Sequence, residues 1–401
     1  MTDALRQSDD LTGHEALSER SLAATLSRLV ATESVNPGAF ESAMATQVCS
    51  ELEGTGCDVT VVEFAPGRPS VAAVLGPPGG PSLLLNGHMD TVGIGDRSLW
   101  RDDPFGGTIR DGAVWGRGAL DMKGGLAAQI ACARVLAAHH DRLHGRLVLH
   151  FAAGEECGEP GTLSLIERGF TADVGIVTEP TDLAVAVAMR GVVYHTIRIV
   201  GTATHAGTPD AGRNPIAPLA RVIDALGRHD ADLQRRSPHP LIGTARASVT
   251  GVRAGVEHNA IPDVAELTVD RRMLPGETPD AVRAELTELV GAALSEGHGF
   301  SWSVQQLHHP FTPVEIAADA PLALETQRIA SEETGQPVPI VGTPYGSDVR
   351  NLVHDAGMQA ITFGAGDVSL CHCPNEHLPV ADLQRAATVL TRLAASRLLH
   401  A

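Results

Sequence analysis

The chain has 401 residues, 43% of them hydrophobic, and a formal net charge of −18. That length exceeds what one hydrophobic core comfortably serves, so two domains are expected. The acidic balance argues against a nucleic acid or an anionic membrane surface as partner, since both are recognised through basic patches.

In chain order, residues 15–33 and 40–56 read as amphipathic helices separated by the breaker "NPG" at 36–38. Short apolar runs follow: "TVVEF" at 60–64, "SVAAVLG" at 70–76, "SLLLNG" at 82–87, "RLVLHFAA" at 146–153 and "VGIVTE" at 174–179. The helical pattern "GGLAAQIACARVLAAHH" at 124–140 lies among them. Strands buried on both faces with helices between them predict an α/β sheet. Residues 191–307 differ in texture. There "VVYHTIRIV" alternates, a helix follows at about 214–229, "TARASVTGV" and "AELTVDRRM" are strands, "TPDAVRAELTELVGAAL" is a helix and "SWSVQQLH" a strand. This βαββαβ order predicts a ferredoxin-like sandwich with one sheet face free. From about 310 the α/β texture returns, so 191–307 reads as an insertion into a domain made of 1–190 and 308–401. The opening "MTDALRQSDDLTGHE" has no apolar stretch of signal-peptide type, and no run is long enough to span a membrane. Six cysteines without a CxxC form no secreted disulfide framework. A cytoplasmic protein with reduced thiols is expected.

Polar residues end the buried runs. His88 and Asp90 in "NGHMDTV" are two apart, so they share a side of an extended chain. A metal-ligating histidine commonly donates its second ring nitrogen to a carboxylate, yet a His–Asp pair at a single strand end is more often only structural. In "GRGALDMKGGLAA", Asp121 opens a helical pattern, where an N-cap and a ligand role are both open. In "AAGEECGEPGT", the adjacent Glu155 and Glu156 follow a buried strand, where mutual repulsion and desolvation favour a cation, though a solvated turn would be the better reading of this strand end alone. Glu179 ends another run in "TEPT", and "CHCPNEH" carries His372 and Glu376. Cys371 and Cys373 read as neutral or core residues. Together these segments place imidazoles and carboxylates where an α/β sheet gathers its carboxyl ends, the usual place for ligands. The mixture suits zinc, with cobalt or manganese as substitutes, and there are enough carboxylates for two bridged metals.

In the order and spacing of these motifs the sequence resembles the di-zinc metallopeptidase family of acetylornithine deacetylase, succinyl-diaminopimelate desuccinylase, aminoacylase and glutamate carboxypeptidase. The inserted segment resembles that family's lid, with "GTATHAGTPDAGRNPI", "EHNAIPD" and "DRRMLPGE". The resemblance implies a zinc-exopeptidase-like mixed sheet with helices on both faces and an inserted lid and dimerisation domain. By the same resemblance, His88, Asp121 and Glu179 would hold one zinc. Asp121 would bridge to a second, held also by Glu156 and His372. Asp90 would orient His88, and Glu155 would be the general base. His377 is read as a non-ligand, and the Asp121–Met122 peptide as cis. His205 is the implied oxyanion donor, though a histidine in such a loop is otherwise unremarkable. Arg272 is the implied partner of a substrate carboxylate, equally readable as a surface strand arginine. Asn259, Gly346 and Ser347 would line the rest of the site.

The implied activity is metal-dependent removal of an acyl group from an N-acylated amino acid by a homodimer joined through the lid. A carboxypeptidase or dipeptidase of the same family is the alternative. A metal-free binding protein on the same fold is the alternative of another class, and metal content separates it from the enzymes.

Overall fold

The computed structural model describes residues 11–295 and 300–400. Most of the polar amino-terminal stretch therefore lies outside the described residues. The chain divides into two compact units, one of residues 1–187, 316–341 and 347–401, the other of 188–315 and 342–346.

The larger unit opens with α1 (Glu19–Ala31) and α2 (Ser42–Glu51), then β1 (Asp58–Ala65), β2 (Arg68–Leu75) and β3 (Ser82–His88). A short hairpin, β4 (Thr108–Arg110) and β5 (Ala113–Trp115), leads to α3 (Gly124–Ala137), β6 (Arg146–Ala152), α4 (Gly161–Glu167), β7 (Val174–Val177) and β8 (Val185–Met189). Ser18 caps α1 by accepting the Ser21 N–H at 3.2 Å, which satisfies one of the donors a helix start leaves free. The smaller unit holds β9 (Gly191–Val200), β10 (Thr204–His205), α5 (Ile216–Arg235), β11 (Arg246–Ala254), β12 (Ala260–Ile261), β13 (Val264–Met273), α6 (Pro279–Leu294) and β14 (Ser301–Gln306). Then come β15 (Val314–Glu315), α7 (Pro321–Thr334), β16 (Ile340–Thr343), β17 (Gln359–Thr362), β18 (His377–Pro379) and α8 (Val380–Leu398).

The main sheet runs β1-β2-β6-β3-β7-β17-β8. Its centre is parallel, with β3 against both β6 and β7, and β7 against β17. Its flanks are antiparallel. β3 is buried along its whole length, so each of Leu83, Leu84 and Leu85 contributes about 1.5–3 kcal/mol of burial. Helices α3 and α8 pack on β3 and β6 and on one another, while α4 packs on β1, β2 and β6. Gly87 is what lets α3 come close. A Cβ there would lie 2.7 Å from Leu126 Cδ2 and 2.8 Å from Met122 Cε. The parallel register sets His88 beside Ala152 and Asn86 beside Val177. Three carboxyl ends therefore lie side by side, and the residues that follow them share one edge of the sheet.

In the smaller unit an antiparallel sheet of order β11-β13-β9-β14 carries α5 and α6 on one face. Val193, Ile197, Leu267 and Val269 meet Leu219, Val222, Leu286 and Val290 in its core. The alternate positions are polar, including Tyr194, Arg198, Glu266, Asp270 and Arg272. This unit begins and ends slightly outside the 191–307 span read from the sequence. Its margins are set by the pairing of the two-residue strand β15 with β8, and so short a strand shows no period in a sequence.

Candidate metal centre

His88 ends β3 with its imidazole buried. Its Nδ1 lies 2.9 Å from the backbone carbonyl of Asp90 and 3.5 Å from the Asp90 carboxylate. A carbonyl only accepts, so Nδ1 carries a proton and Nε2 faces the acids. That nitrogen is 3.3 Å from Asp121 Oδ1 and 3.4 Å from Glu179 Oε1. The orienting contact thus comes chiefly from the main chain of Asp90, while the carboxylate of Asp90 holds a turn. Its Oδ1 accepts the N–H groups of Gly154 and Glu155 at 3.0 and 3.1 Å, and its Oδ2 that of Glu156 at 3.2 Å. Burial opposes the charge on Asp90, but His88, Asn36 and the backbone donors lower its pKa on balance.

The turn so held follows β6 and carries both glutamates. Asp121 stands across from it, ahead of α3, with a cis peptide to Met122. Its Oδ2 lies 3.0 Å from Nε2 of His372, which is also 3.3 Å from Glu156 Oε2. One carboxylate therefore spans both imidazoles. His372 reaches this position from a loop, at a φ of +62°, and stays half-exposed. His88, Glu155 and Glu179 form one potential ligand group, and His88, Asp121 and Glu156 another, each within 4.8 Å. His377 is elsewhere engaged, stacked on Trp115 with ring centroids 3.9 Å apart.

Electrostatics show whether these residues suit a metal. Burial and neighbouring acids push Glu155 well above the usual carboxylate range, raise Glu156, and carry Glu179 to about 7. Glu155 Oε1 and Glu156 Oε1 are buried with no hydrogen-bond partner among the described residues. Unpartnered buried carboxylate oxygens are costly, and hard oxygen donors beside imidazoles are what divalent ions take. The donor set fits divalent metal, with His88 common to both groups and Asp121 between the two imidazoles.

Two further acids contribute to which the sequence assigns no role, Glu376 of "CHCPNEH" and Asp348. Glu376 Oε1 accepts the N–H groups of Leu120 and Asp121 at 3.0 and 3.1 Å, and its other oxygen pairs with Arg117. Asp348 is buried, accepts Thr162 Oγ1 at 2.6 Å, and lies near enough to Glu155 to raise its pKa. It directly follows Ser347 in "YGSD", and a carboxylate at a second buried turn was the available signal. Ser347 is itself buried.

The remaining expected site residues lie in the smaller unit. His205 is exposed on β10, which pairs antiparallel with β12, and its Nδ1 accepts the Gly207 N–H at 3.0 Å. Asn259 is exposed, and its carbonyl accepts the Ala206 N–H at 2.9 Å. Arg272 is gripped by Asp270 through Nε and Nη2, both at 2.9 Å. Gly346 packs on Phe311, where a Cβ would lie 2.7 Å from the ring.

Comparison with known proteins matches residues 84–396 to Peptidase family M20/M25/M40. The chain is 29% identical to the N-formyl-4-amino-5-aminomethyl-2-methylpyrimidine deformylase of Halalkalibacterium halodurans, over 96% of each chain. It is 31% identical to the succinyl-diaminopimelate desuccinylase of a Methylobacterium species, over 82% of this chain and 84% of that one. Its fold is similar to that of an M20 family metallo-carboxypeptidase from Sulfolobus solfataricus, with TM-score 0.76 and 19% identity over 93% of this chain and 98% of that one. The acid-and-imidazole cluster at the sheet edge and the match over 84–396 together make the chain a member of Peptidase family M20/M25/M40, metal-dependent hydrolases of amide and peptide bonds.

Proposed function

We propose that the protein is a two-zinc amide hydrolase that removes a small acyl group from an N-acylated amino acid. The observation that carries the reading is the Asp121 carboxylate spanning His88 and His372, with Glu155 and Glu156 beside it. His88, Asp121 and Glu179 would hold one ion, and Asp121, Glu156 and His372 the other. Bound there, zinc polarises a carbonyl and lowers the pKa of water. Glu155 then takes the proton from the attacking water on a carboxylate oxygen and returns it to the leaving amine nitrogen. Asp90 fixes the turn that presents Glu155.

On the smaller unit, the accepting Nδ1 of His205 puts the proton of the neutral ring on Nε2. That makes Nε2–H a donor of the kind a tetrahedral oxyanion needs. The smaller unit serves in this reading as lid and as dimer contact, and Arg272 serves a substrate carboxylate. Asp270 already occupies two of the Arg272 donors, leaving Nη1 for the substrate. Asn259, Gly346 and Ser347 complete the substrate contacts.

A second reading comes from the relative that spans nearly the whole chain, whose name describes removal of a formyl group from an aminomethylpyrimidine. An N-formylated amine without a carboxylate is therefore tested beside the amino acids. The experiment is a hydrolysis screen of N-formyl, N-acetyl and N-succinyl amino acids, N-formyl amines and dipeptides, with added zinc or cobalt. Turnover of an N-acyl amino acid above the others supports the proposal. Turnover of dipeptides alone replaces it with a peptidase, and no turnover in metal-loaded protein overturns it.

A further inference from the structure

We infer that Asn36 and Arg68 are positioning residues for the reaction, fixing through Glu159 the turn that carries Glu155 and Glu156. The inference rests on the roles proposed above for those glutamates and for His88.

The turn 154–157 depends on the Asp90 carboxylate, into which its backbone N–H groups point. What places that carboxylate is Asn36. Its Nδ2 donates to Asp90 Oδ2 and to Glu159 Oε2, each at 3.0 Å. Glu159 belongs to the same stretch as the turn, and its N–H returns to the Gly154 carbonyl at 2.8 Å. Its carboxylate is held by Arg68, with Nη1 at 2.8 Å from Oε1 and Nη2 on Oε2. Glu41, fully buried, grips the same guanidinium through Nε at 2.7 Å and Nη2 at 2.8 Å. The Phe40 ring lies 4.4 Å from the guanidinium carbon. An arginine bound on two edges and stacked on a ring has little freedom.

Gly154 shows how tightly the turn rests on this assembly. At its φ of +81°, a Cβ would come within 2.6 Å of Glu159 Cβ and 3.2 Å of Arg68 Nη2. The links run from Glu41 through Arg68, Glu159 and Asn36 to Asp90, and Asp90 reaches both His88 and the glutamate turn. Asn36, Glu41 and Arg68 all precede residue 84, where the family match begins, so the metal motifs do not contain them. Groups that hold ligand-bearing segments commonly set metal affinity or rate by about 10–100-fold.

The test uses Asn36→Ala, Glu159→Gln, Arg68→Lys and Arg68→Met in the full chain. It reads three quantities: cobalt affinity of the metal-stripped protein, kcat and KM on the best substrate of the screen, and the metal-free melting temperature. Asn36→Ala and Arg68→Met are expected to weaken cobalt binding or lower kcat by about 10–100-fold, with KM within about threefold. Arg68→Lys keeps the charge but not the fork, so it should recover part of the loss. Adding Asn36→Ala to Glu155→Gln should lower kcat little further, because the placed base is already disabled. Glu159 is partly exposed, so Glu159→Gln is the variant that should fold if Arg68→Met does not. Folded variants with wild-type cobalt affinity and wild-type kcat overturn the inference. A wild-type protein that takes up no cobalt overturns the proposed metal roles, and this inference with them.

Discussion

The smaller unit and the sheet edge of the larger one treat buried charge in opposite ways. On the smaller unit, buried Arg271 meets Glu277 and Glu285, Arg246 meets Asp230, and Arg272 meets Asp270. In each of these contacts a cation meets a carboxylate of the same unit as the chain folds. At the strand ends of the larger unit, four carboxylates, Asp121, Glu155, Glu156 and Glu179, gather round two imidazoles. Three cations near the cluster are engaged elsewhere. Arg68 is consumed by Glu41 and Glu159, Arg117 by Glu376, and buried Lys123 donates to the Thr32 carbonyl. Matched pairs tell of structure, whereas an uncompensated cluster at a sheet edge tells of something the cluster binds.

Stripping the metal tests that contrast most severely. Dialysis against a strong chelator is expected to abolish hydrolysis, and added zinc, cobalt or manganese to restore it. The restored protein should also melt higher, because binding to the folded state adds about 4 kcal/mol at a free metal concentration of 1,000 times Kd. Full activity in chelator would show that the acids are balanced in some other way.

Glu155→Gln comes next in size. Glutamine keeps the shape but accepts no proton, so kcat should fall by about 10²–10⁴ or more while elemental analysis finds wild-type metal content. Both Glu155 and Glu156 lie within ligand reach, so metal loss with a modest rate loss would exchange their roles. His205→Ala sharpens the comparison from the smaller unit. Loss of one oxyanion donor costs about 10²–10³ in kcat, and cobalt affinity should not change. If the proposed dimer forms, mixing Glu155→Gln and His205→Ala subunits tests which chain supplies the proposed donor. Restored activity in hybrid dimers assigns it to the partner, and dead hybrids assign it to the same chain or to no role.

The sequence makes strand ends easy to read and long-range support hard. His88, Asp121, Glu155, Glu156, Glu179 and His372 stand out because each breaks an apolar pattern or closes a glycine-rich turn, and the structure brings them together. The parallel centre of the sheet was equally visible as all-apolar runs. Strand β17, with four residues, and the small sheet β18-β5-β4 are too short to carry a period. Asn36, Arg68 and Glu376 depend on partners up to 259 positions away, and no local spacing encodes such pairs. Arg272 is instructive because Asp270, its partner, lies two positions back. On a strand that spacing puts both on one face, so the ion pair is legible in the sequence and accompanies the strand reading of Arg272 without deciding its ligand role.

His150 offers the smallest effect and isolates burial from charge pairing. It lies in β6, fully buried, where its Nε2–H donates to the Phe170 carbonyl at 2.8 Å and Nδ1 has no partner among the described residues. Burial lowers its pKa to about 4, with the Phe170 carbonyl acting weakly the other way. The unfolded imidazole titrates near 6.5. Above that pH both states are neutral and the stability is whole. As pH falls from 6.5 towards 4, the unfolded chain takes up a proton that the folded chain refuses, so stability is lost across that window. By pH 5 the loss is about 2 kcal/mol. His150→Gln keeps a donor for Phe170 and removes the titration. Urea unfolding of both proteins at pH 7.5 and pH 5, in the same metal state, reads the difference. The wild type should lose about 2 kcal/mol more than the variant over that interval. Parallel losses would mean that the folded chain accepts the proton at His150, and that this part of the sheet is less dry than its burial implies.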